Sequence, residues 1–307
     1  MQISQWRAMG RYTRFGSRRV FHIDRGSGEP LLLLHAYPTA SWGWYELLPR
    51  LVSRFRVIIP DLVGSGFSDK PADDAAYSVF RLADQVETLL EELEVDEVRV
   101  FAHAYGSTTA QELLARHADR RERGEAGGLE IRSVSFTNAG LFPEATRPTA
   151  TQKFMLTPCG GWLTRQVPAP LGMFKRKLRP NFGTLRPPTE AMLRSIWELL
   201  RYNGGHRVAS RVLGYLKERP QYRDRWVGAM LRTRVPLQLI NGAADPVAGE
   251  GVPRVWKKLL PDSPLVELDP GVGHYPPLEA PEELLEHFLT FVNSSARRIE
   301  EPALRGE

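Results

Sequence analysis

The chain has little of several features that would assign it to a class. Its 307 residues include one cysteine, Cys159, so neither an intrachain disulfide nor a cysteine-based zinc site can form. Such sparse use of cysteine fits a reducing compartment. Residues 1–10 lack the apolar core of a secretory signal peptide, and the longest apolar runs, such as 30–35, have the length of a strand. We therefore expect a cytoplasmic protein with no membrane insertion.

Signatures of cofactors and of nucleic-acid binding are also missing. No Gly-rich dinucleotide fingerprint occurs, and no cluster of His, Cys and carboxylate residues has metal-ligand spacing. We therefore expect no cofactor and no metal. The formal net charge is +5, but the basic clusters at 116–123, 175–179 and 219–225 are mostly interspersed with acidic residues and match no nucleic-acid-binding motif. We interpret these clusters as solvated helix faces and predict a small-molecule substrate, with no nucleic acid as partner.

Short β-rich runs alternate with longer helical patterns over most of the chain. Several of these runs are almost continuously apolar, which is typical of a parallel sheet covered on both faces. The alternation predicts a doubly wound α/β fold. The predicted strands are 19–23, 31–35, 56–60, 98–103, 131–137, 235–241 and 264–268. The predicted helices between them are 44–52, 78–93, 108–117, 252–260 and 281–292.

The alternation breaks between about residues 142 and 232, where Pro, Gly and aromatic residues are frequent. We interpret this stretch as a helical cap inserted after the predicted strand 131–137; a few extra surface helices are the alternative. Its clustered aromatic residues, Trp162 and Tyr202 among them, favour a lid over an apolar pocket. Helical patterns recur at 190–202, 206–217 and 221–231. The predicted organisation is a core of 1–142 and 233–294, a cap of 143–232 and a polar tail of 295–307.

The most informative position follows the predicted strand 98–103. A tight turn there leads into a helix, and a doubly wound hydrolase carries its nucleophile at such a turn, because strain pushes the side chain up over the sheet. The residue at this point is Ala104. Alanine has no lone pair, so the chain as written cannot form a covalent intermediate there. His103 precedes the turn, and we expect it to point away from the pocket.

Two residues near the C-terminus complete the order of nucleophile, acid and histidine that such a site requires. Asp245 and His274 each follow a predicted strand, at the sheet edge where open α/β sheets bind their ligands. A carboxylate beside His274 would fix its tautomer and favour its protonated form during turnover. We therefore predict Asp245 as the catalytic acid partner. Asp269 is a weaker rival, because it lies too close to His274 in sequence.

Backbone N–H groups are predicted to form an oxyanion hole. Tyr105 follows the nucleophile position and would supply one donor, while the loop at Ala36 and Tyr37 would supply the other. We place His35, from the same loop, among the residues that contact substrate. After the next strand, we expect the Asp61 carboxylate to bind loop amides, which is a structural role.

These segments together resemble the epoxide-hydrolase and haloalkane-dehalogenase branch of the α/β-hydrolases, and within it the mesoderm-specific-transcript-type proteins and their bacterial relatives. The likeness covers nearly the whole chain. Relatives usually read His-Asp-Tyr-Gly where this chain has residues 103–106, and Gly where Ala36 stands. The resemblance therefore implies an α/β-hydrolase fold, with position 104 as the place of an aspartate nucleophile. The segments that carry it are 34–41, 67–71, 110–114, 138–144, 225–229, 245–246 and 274–276.

An aspartate nucleophile implies that an alkyl-enzyme ester forms at an sp³ carbon and that His274 activates water to hydrolyse it. In epoxide hydrolases, cap tyrosines assist the opening oxygen. Tyr215 lies where such a tyrosine would fall and Tyr202 is the second candidate, with simple packing as the alternative for both. Dehalogenases bind halide with indole N–H groups, one of them next to the nucleophile, so Tyr105 at that position argues against halide.

Asn138 and Glu144 follow the predicted strand 131–137, where some relatives carry their acid. Because Asp245 is present, we rank both second as acids, and we place Asn138 among the substrate contacts, with Trp162 and Tyr202. The departure at Ala36 adds a methyl group beside the oxyanion loop and is expected to narrow or redirect the pocket.

Two explanations compete for Ala104. Either it replaces an aspartate in a laboratory variant that binds substrate without turnover, or a natural lineage lost its nucleophile and kept a binding role. The intact surroundings favour the first. The leading hypothesis is an epoxide-hydrolase-type enzyme for a fairly apolar small molecule, inactive in this form. A serine-type esterase or lactonase that has lost its serine and a non-catalytic small-molecule binding protein are the alternatives.

Overall fold

The computed structural model describes residues 1–300, with the side chains of residues 1–296. Eight strands form one sheet in the order β1-β2-β4-β3-β5-β6-β7-β8. The pairings of β2 with β1 and with β4 are antiparallel, and the other five are parallel. The strands are β1 (Arg11–Phe15), β2 (Arg18–Arg25), β3 (Glu29–Leu34), β4 (Phe55–Pro60), β5 (Glu97–His103), β6 (Glu130–Thr137), β7 (Leu237–Asn241) and β8 (Leu265–Glu267).

Helices follow most strands and fill the long stretch between β6 and β7. None of those within residues 1–300 combines the length and the apolar composition needed to cross a bilayer. The helices are α1 (Ile3–Met9), α2 (Leu48–Leu51), α3 (Val79–Glu92), α4 (Tyr105–Glu122), α5 (Ala150–Met155), α6 (Pro158–Gln166), α7 (Leu171–Leu178), α8 (Glu190–Arg201), α9 (Ala209–Val212), α10 (Tyr215–Gln221), α11 (Arg223–Arg232), α12 (Gly251–Leu259), α13 (Pro276–Glu279) and α14 (Pro281–Glu300). Short 3₁₀ helices cover Ser41–Trp44, Asp74–Tyr77, Pro143–Ala145, Arg179–Asn181 and Tyr202–Arg207.

The sheet is covered on both faces, as its apolar strands predicted. Side chains alternate across a strand, and in β3 Leu31 and Leu33 pack with Trp44 and the α14 layer. Leu32 and Leu34 pack on the other face, against α3 and α4. The expected α/β-hydrolase fold, a mostly parallel doubly wound sheet, is therefore confirmed.

The differences from the predicted elements lie where local patterns are weak. Neither β1, an edge strand with no buried residue, nor α1, whose one buried side chain is Trp6, was predicted from the sequence. The predicted helix 206–217 is broken into a 3₁₀ turn, α9 and α10. Asn203 and Gly204 adopt positive φ values of 49° and 74°, which end the regular helix before this segment.

Gly106 allows α4 to start directly against β3. A Cβ at this position would lie 2.6 Å from the carbonyl carbon of Leu34, well inside any real contact. The Gly106 N–H donates to the His35 carbonyl at 2.9 Å. The first turn of α4 is therefore fixed against the loop that follows β3.

We expect Gly106→Ala to lower the free energy of unfolding by about 1–3 kcal/mol, because the added methyl meets backbone that cannot move aside. Urea denaturation measures this change. Gly172 of α7 is the matched control, since a Cβ there meets nothing within 4 Å, and Gly172→Ala should stabilise by up to about 1 kcal/mol. Similar effects at the two positions would show that the close approach of α4 to β3 does not require glycine.

Candidate active site

The turn between β5 and α4 holds Ala104 in a strained conformation, with φ 46° and ψ −102°. Residues other than glycine rarely adopt a positive φ of this kind, and it costs about 1–3 kcal/mol. Hydrogen bonds on both sides fix the turn: the Ala104 N–H donates to the Thr137 carbonyl at 3.2 Å, and the Ala104 carbonyl accepts from the Ser107 N–H at 3.1 Å. The backbone geometry of a nucleophile turn is therefore present, although the side chain is a methyl group.

Asp245 and His274 come together as the sequence predicted. Oδ2 of Asp245 lies 2.9 Å from Nδ1 of His274, and both side chains are buried. Oδ1 of Asp245 accepts from the Val247 N–H at 2.7 Å, and Oδ2 also accepts from Nδ2 of Asn138 at 3.0 Å. Because an ionised carboxylate only accepts, Nδ1 of His274 carries a proton and Nε2 is the basic nitrogen.

Burial and charge act against each other in this pair. Burial lowers the pKa of His274, but the charge of Asp245 and the hydrogen bond to it outweigh burial, so the pKa lies above its ordinary value. Burial likewise raises the pKa of Asp245, and the charge and hydrogen bond of His274, with the Val247 N–H, bring it below its ordinary value. The arrangement stabilises a protonated imidazole, which is the state that a histidine reaches when it acts as a general base.

His103 takes the structural position that its place before the turn indicated. Its Nε2 donates to the main-chain carbonyl of His274 at 2.7 Å. Burial, together with the nearby charge of His274, lowers the pKa of His103 to about 3, so its ring stays neutral. The Asp61 carboxylate is also structural, since it accepts from the Ser41 and Phe67 N–H groups, each at 2.7 Å.

The predicted oxyanion donors lie in two neighbouring loops. Tyr105 is the first residue of α4, so its N–H has no acceptor within the helix. The hydrogen bond between Gly106 and His35 brings the loop of Ala36 and Tyr37 against the start of α4. Within residues 1–296, the N–H groups of Ala36, Tyr37 and Tyr105 donate to no protein acceptor. Their role in binding an oxyanion stays a prediction.

Two predicted substrate contacts are corrected by the structure. Nδ1 of His35 donates to the Ala36 carbonyl at 2.8 Å and Nε2 accepts from the Leu62 N–H at 3.0 Å, so both ring nitrogens are used. Asn138 is fully buried; besides its bond to Asp245, Nδ2 donates to the Gly273 carbonyl at 2.9 Å. Its Oδ1 accepts from the Gly242 N–H at 2.9 Å. Both side chains therefore hold loops in place.

Three other candidates lie elsewhere. Trp162 is 62% exposed and lines an outer groove with Tyr77 and Ser210. Tyr202 packs edge-on against Phe67, with the Arg7 guanidinium 5.2 Å from its ring centre. Glu144 forms an ion pair with an arginine of α11 and does not reach His274. None of the three takes part in the Asp245–His274 arrangement.

Tyr215, in the helical stretch between β6 and β7, reaches the residue after the turn. It is the first residue of α10, and its ring centre lies 4.8 Å from that of Tyr105, the residue directly after Ala104. Within residues 1–296, its hydroxyl has no hydrogen-bond partner. The hydroxyls of Tyr37 and Tyr105 are buried nearby and likewise unpartnered. Three phenols, those of Tyr37, Tyr105 and Tyr215, therefore lie together beside the turn.

Sequence reasoning missed Arg219, which it assigned to a solvated basic cluster. The side chain is only 4% exposed, and its Nε donates to Oγ1 of Thr108 at 3.1 Å. Its guanidinium carbon lies 4.7 Å from the ring centre of Tyr215. The spacing of four residues between Tyr215 and Arg219 on a helix was the one signal available, because it predicts that both lie on the same face.

Comparison with known proteins assigns the chain to a family. A family model described as alpha/beta hydrolase fold matches residues 29–281. The chain belongs to the α/β-hydrolase family. This α/β-hydrolase is 37% identical over 304 residues to the mesoderm-specific transcript protein of Mus musculus, covering 95% of this chain and 88% of that protein. The resemblance drawn from the sequence is thereby confirmed.

Solved structures show the same fold. The haloalkane dehalogenase DbeA from Bradyrhizobium elkani aligns with a TM-score of 0.75 at 19% identity, over 94% of this chain and 99% of that chain. The epoxide hydrolase CorEH aligns with a TM-score of 0.71 at 19% identity, over 93% and 98%. Within the described residues of this α/β-hydrolase, no three His, Cys, Asp or Glu side chains come together as a metal site requires.

We expect Asp245→Asn to lower the pKa of His274, because the amide removes the negative charge that outweighs burial. An NMR titration of the His274 ring measures the change. Asp269→Asn is the matched control, since Asp269 is exposed and its carboxylate accepts from the Gly271 N–H rather than from His274. If the two variants give the same pKa, or if Asp269→Asn gives the larger shift, the assignment of Asp245 as the partner acid is wrong.

Proposed function

We propose that this chain is a hydrolase of the epoxide-hydrolase type, acting on a fairly apolar small molecule through an alkyl-enzyme ester. In this proposal Ala104 occupies the place of an aspartate nucleophile, so the chain as it stands binds substrate without turnover. The observation that carries the proposal is the Asp245–His274 hydrogen bond at 2.9 Å, together with the bond at 2.7 Å from His103, the residue directly before Ala104, to the His274 carbonyl.

The first step needs a carboxylate at position 104. One of its oxygens attacks an epoxide carbon, the C–O bond of the ring breaks, and the alkoxide takes the phenol proton of Tyr215. The position of Tyr215 against Tyr105 supports this role. Tyr105 lies next to position 104, where haloalkane dehalogenases carry an indole that binds halide. Because this chain has a tyrosine there, an epoxide oxygen is the better leaving group.

The second step uses His274. Nε2 takes a proton from water, and the hydroxide attacks the ester carbonyl while the N–H groups of Tyr37 and Tyr105 bind the oxyanion. The tetrahedral intermediate collapses to the carboxylate and the diol. The proton on His274 then returns to the phenolate of Tyr215. The raised pKa of His274 supports this step, because it favours the protonated ring that the step produces.

We expect Ala104→Asp to open aryl epoxides to diols at a rate at least about 10³-fold above the parent chain, because it supplies the missing nucleophile. The assay uses aryl epoxides with and without a carboxylate. In a single turnover in heavy-oxygen water, the label should enter the introduced carboxylate and not the diol, since water attacks the ester carbonyl.

Ala104→Asn is the matched control, because it has the same size without the nucleophilic charge. Ala104→Ser tests the serine-type esterase or lactonase. Hydrolysis of activated esters by Ala104→Ser, with no epoxide opening by Ala104→Asp, would replace the proposal with that alternative. Ligand binding that neither variant converts into turnover would favour the non-catalytic binding protein.

A further inference from the structure

Arg219 is a buried cation without a counter-charge. Its side chain is 4% exposed, and within residues 1–296 no carboxylate lies within 4.0 Å of its nitrogens. The other buried arginine of that range, Arg99, pairs with Glu29 at 2.7 Å. A buried charge is costly unless it is paired. The absence of a partner for Arg219 therefore requires an explanation.

Most of the hydrogen-bonding capacity of Arg219 is also unused. A guanidinium has five N–H donors, and one of them, on Nε, bonds to Thr108. Among the described residues, neither terminal nitrogen has an acceptor, and neither belongs to the fully enclosed polar atoms. Both therefore border accessible space. If Arg219 only linked the cap to the core, that role would explain the bond to Thr108 but not the four unused donors.

The guanidinium lies on the cap side of the candidate active site. It packs over the ring of Tyr215, which contacts Tyr105 beside Ala104. A Cβ at Gly140 would lie 2.2 Å from its terminal Nη1, so this nitrogen lies against the loop that follows β6. Its charge also reaches His274, whose pKa it lowers slightly against the larger effect of Asp245.

We propose that Arg219 binds a carboxylate of the substrate, so that the substrate is an apolar small molecule with a single negative charge. The planar fork of the guanidinium matches a carboxylate in two parallel hydrogen bonds. One unpaired cation neutralises a monoanion, whereas a phosphate monoester would bring a second negative charge into a site where residues 1–296 supply no second unpaired cation. This inference rests on the proposed function for the place of the substrate, but not for its test.

The carboxylate that the proposed function puts at position 104 is an alternative counter-charge for Arg219. In that case the chain with alanine would leave Arg219 unpaired and would prefer anionic ligands, whereas Ala104→Asp would pair with Arg219 and remove that preference. A substrate carboxylate instead predicts that both forms prefer an anion. The two explanations therefore differ in a binding measurement that needs no turnover.

The experiment measures the affinity of the intact chain for 4-phenylbutyrate and for its neutral amide, by calorimetry. We expect the carboxylate to bind about 10- to 100-fold more tightly, the range that hydrogen bonds to a charged group supply. Arg219→Gln should abolish the preference, and Arg219→Lys should retain part of it, because lysine keeps the charge without the fork. Arg223→Gln is the matched control, since Arg223 is partly exposed and paired with Glu144, and it should keep the full preference.

Equal affinity for the two probes in the parent chain, or a preference that survives Arg219→Gln, would overturn the proposal. Loss of the preference in Ala104→Asp would also overturn it, in favour of an internal counter-charge. Tighter binding of 3-phenylpropyl phosphate than of 4-phenylbutyrate would reject the carboxylate. If no form prefers the anion and Arg219→Gln has a lower midpoint of denaturation than Arg223→Gln, then Arg219 has only a structural role.

The result is separable from the proposed function. An anion preference with no epoxide opening by Ala104→Asp would leave Arg219 as a ligand-binding residue on an unassigned hydrolase. Epoxide opening with no anion preference would leave the proposed function in place and reject the role of Arg219.

Discussion

The strained turn at Ala104 is the constraint on which the rest of the site depends. Its positive φ is maintained by two hydrogen bonds: the Ala104 N–H donates to Thr137 of β6, and the Ala104 carbonyl accepts from Ser107 of α4. Gly106 lets α4 approach β3 closely enough to hold that turn. The same geometry leaves the Tyr105 N–H unbound at the start of a helix, where the partial positive charge of the helix favours an anion. A methyl group in this position gains nothing from such strain, which is why we interpret the turn as built for a reactive side chain.

Hydrogen bonds to the acid form a second layer of support. Asn138 links the Asp245 carboxylate to the main chain of Gly242 and Gly273, so the loops after β6, β7 and β8 are joined in one network. His103 adds a bond to the carbonyl of His274 itself. Asp245 therefore orients the ring of His274, and His103 holds its main chain. Networks in which every buried polar group is satisfied are rigid, and rigidity is what a catalytic base requires.

Helices α10 and α4 meet through two matching faces. Tyr215 and Arg219 lie four residues apart on α10, and they contact Tyr105 and Thr108, which lie three residues apart on α4. Within residues 1–296, the hydroxyls of Tyr37, Tyr105 and Tyr215 have no hydrogen-bond partner, and the terminal nitrogens of Arg219 have no acceptor. Polar groups with unused hydrogen-bonding capacity therefore lie on both helices.

The sequence by itself determined the fold class, the strands of the parallel core and the pair Asp245 and His274, because apolar periodicity, turn residues and chain order are local properties. Tertiary structure alone decided which polar groups meet. Asn138 and Asp245 are 107 residues apart, and no local pattern distinguishes an amide that holds a loop from one that binds a ligand. Arg219 lies in a charged segment that indicates solvent exposure, and only the packing of α10 on α4 removes the water around it. Burial is a property of the packed chain. Only the tertiary structure therefore shows that Arg219, on which the proposal for the substrate depends, is a buried charge.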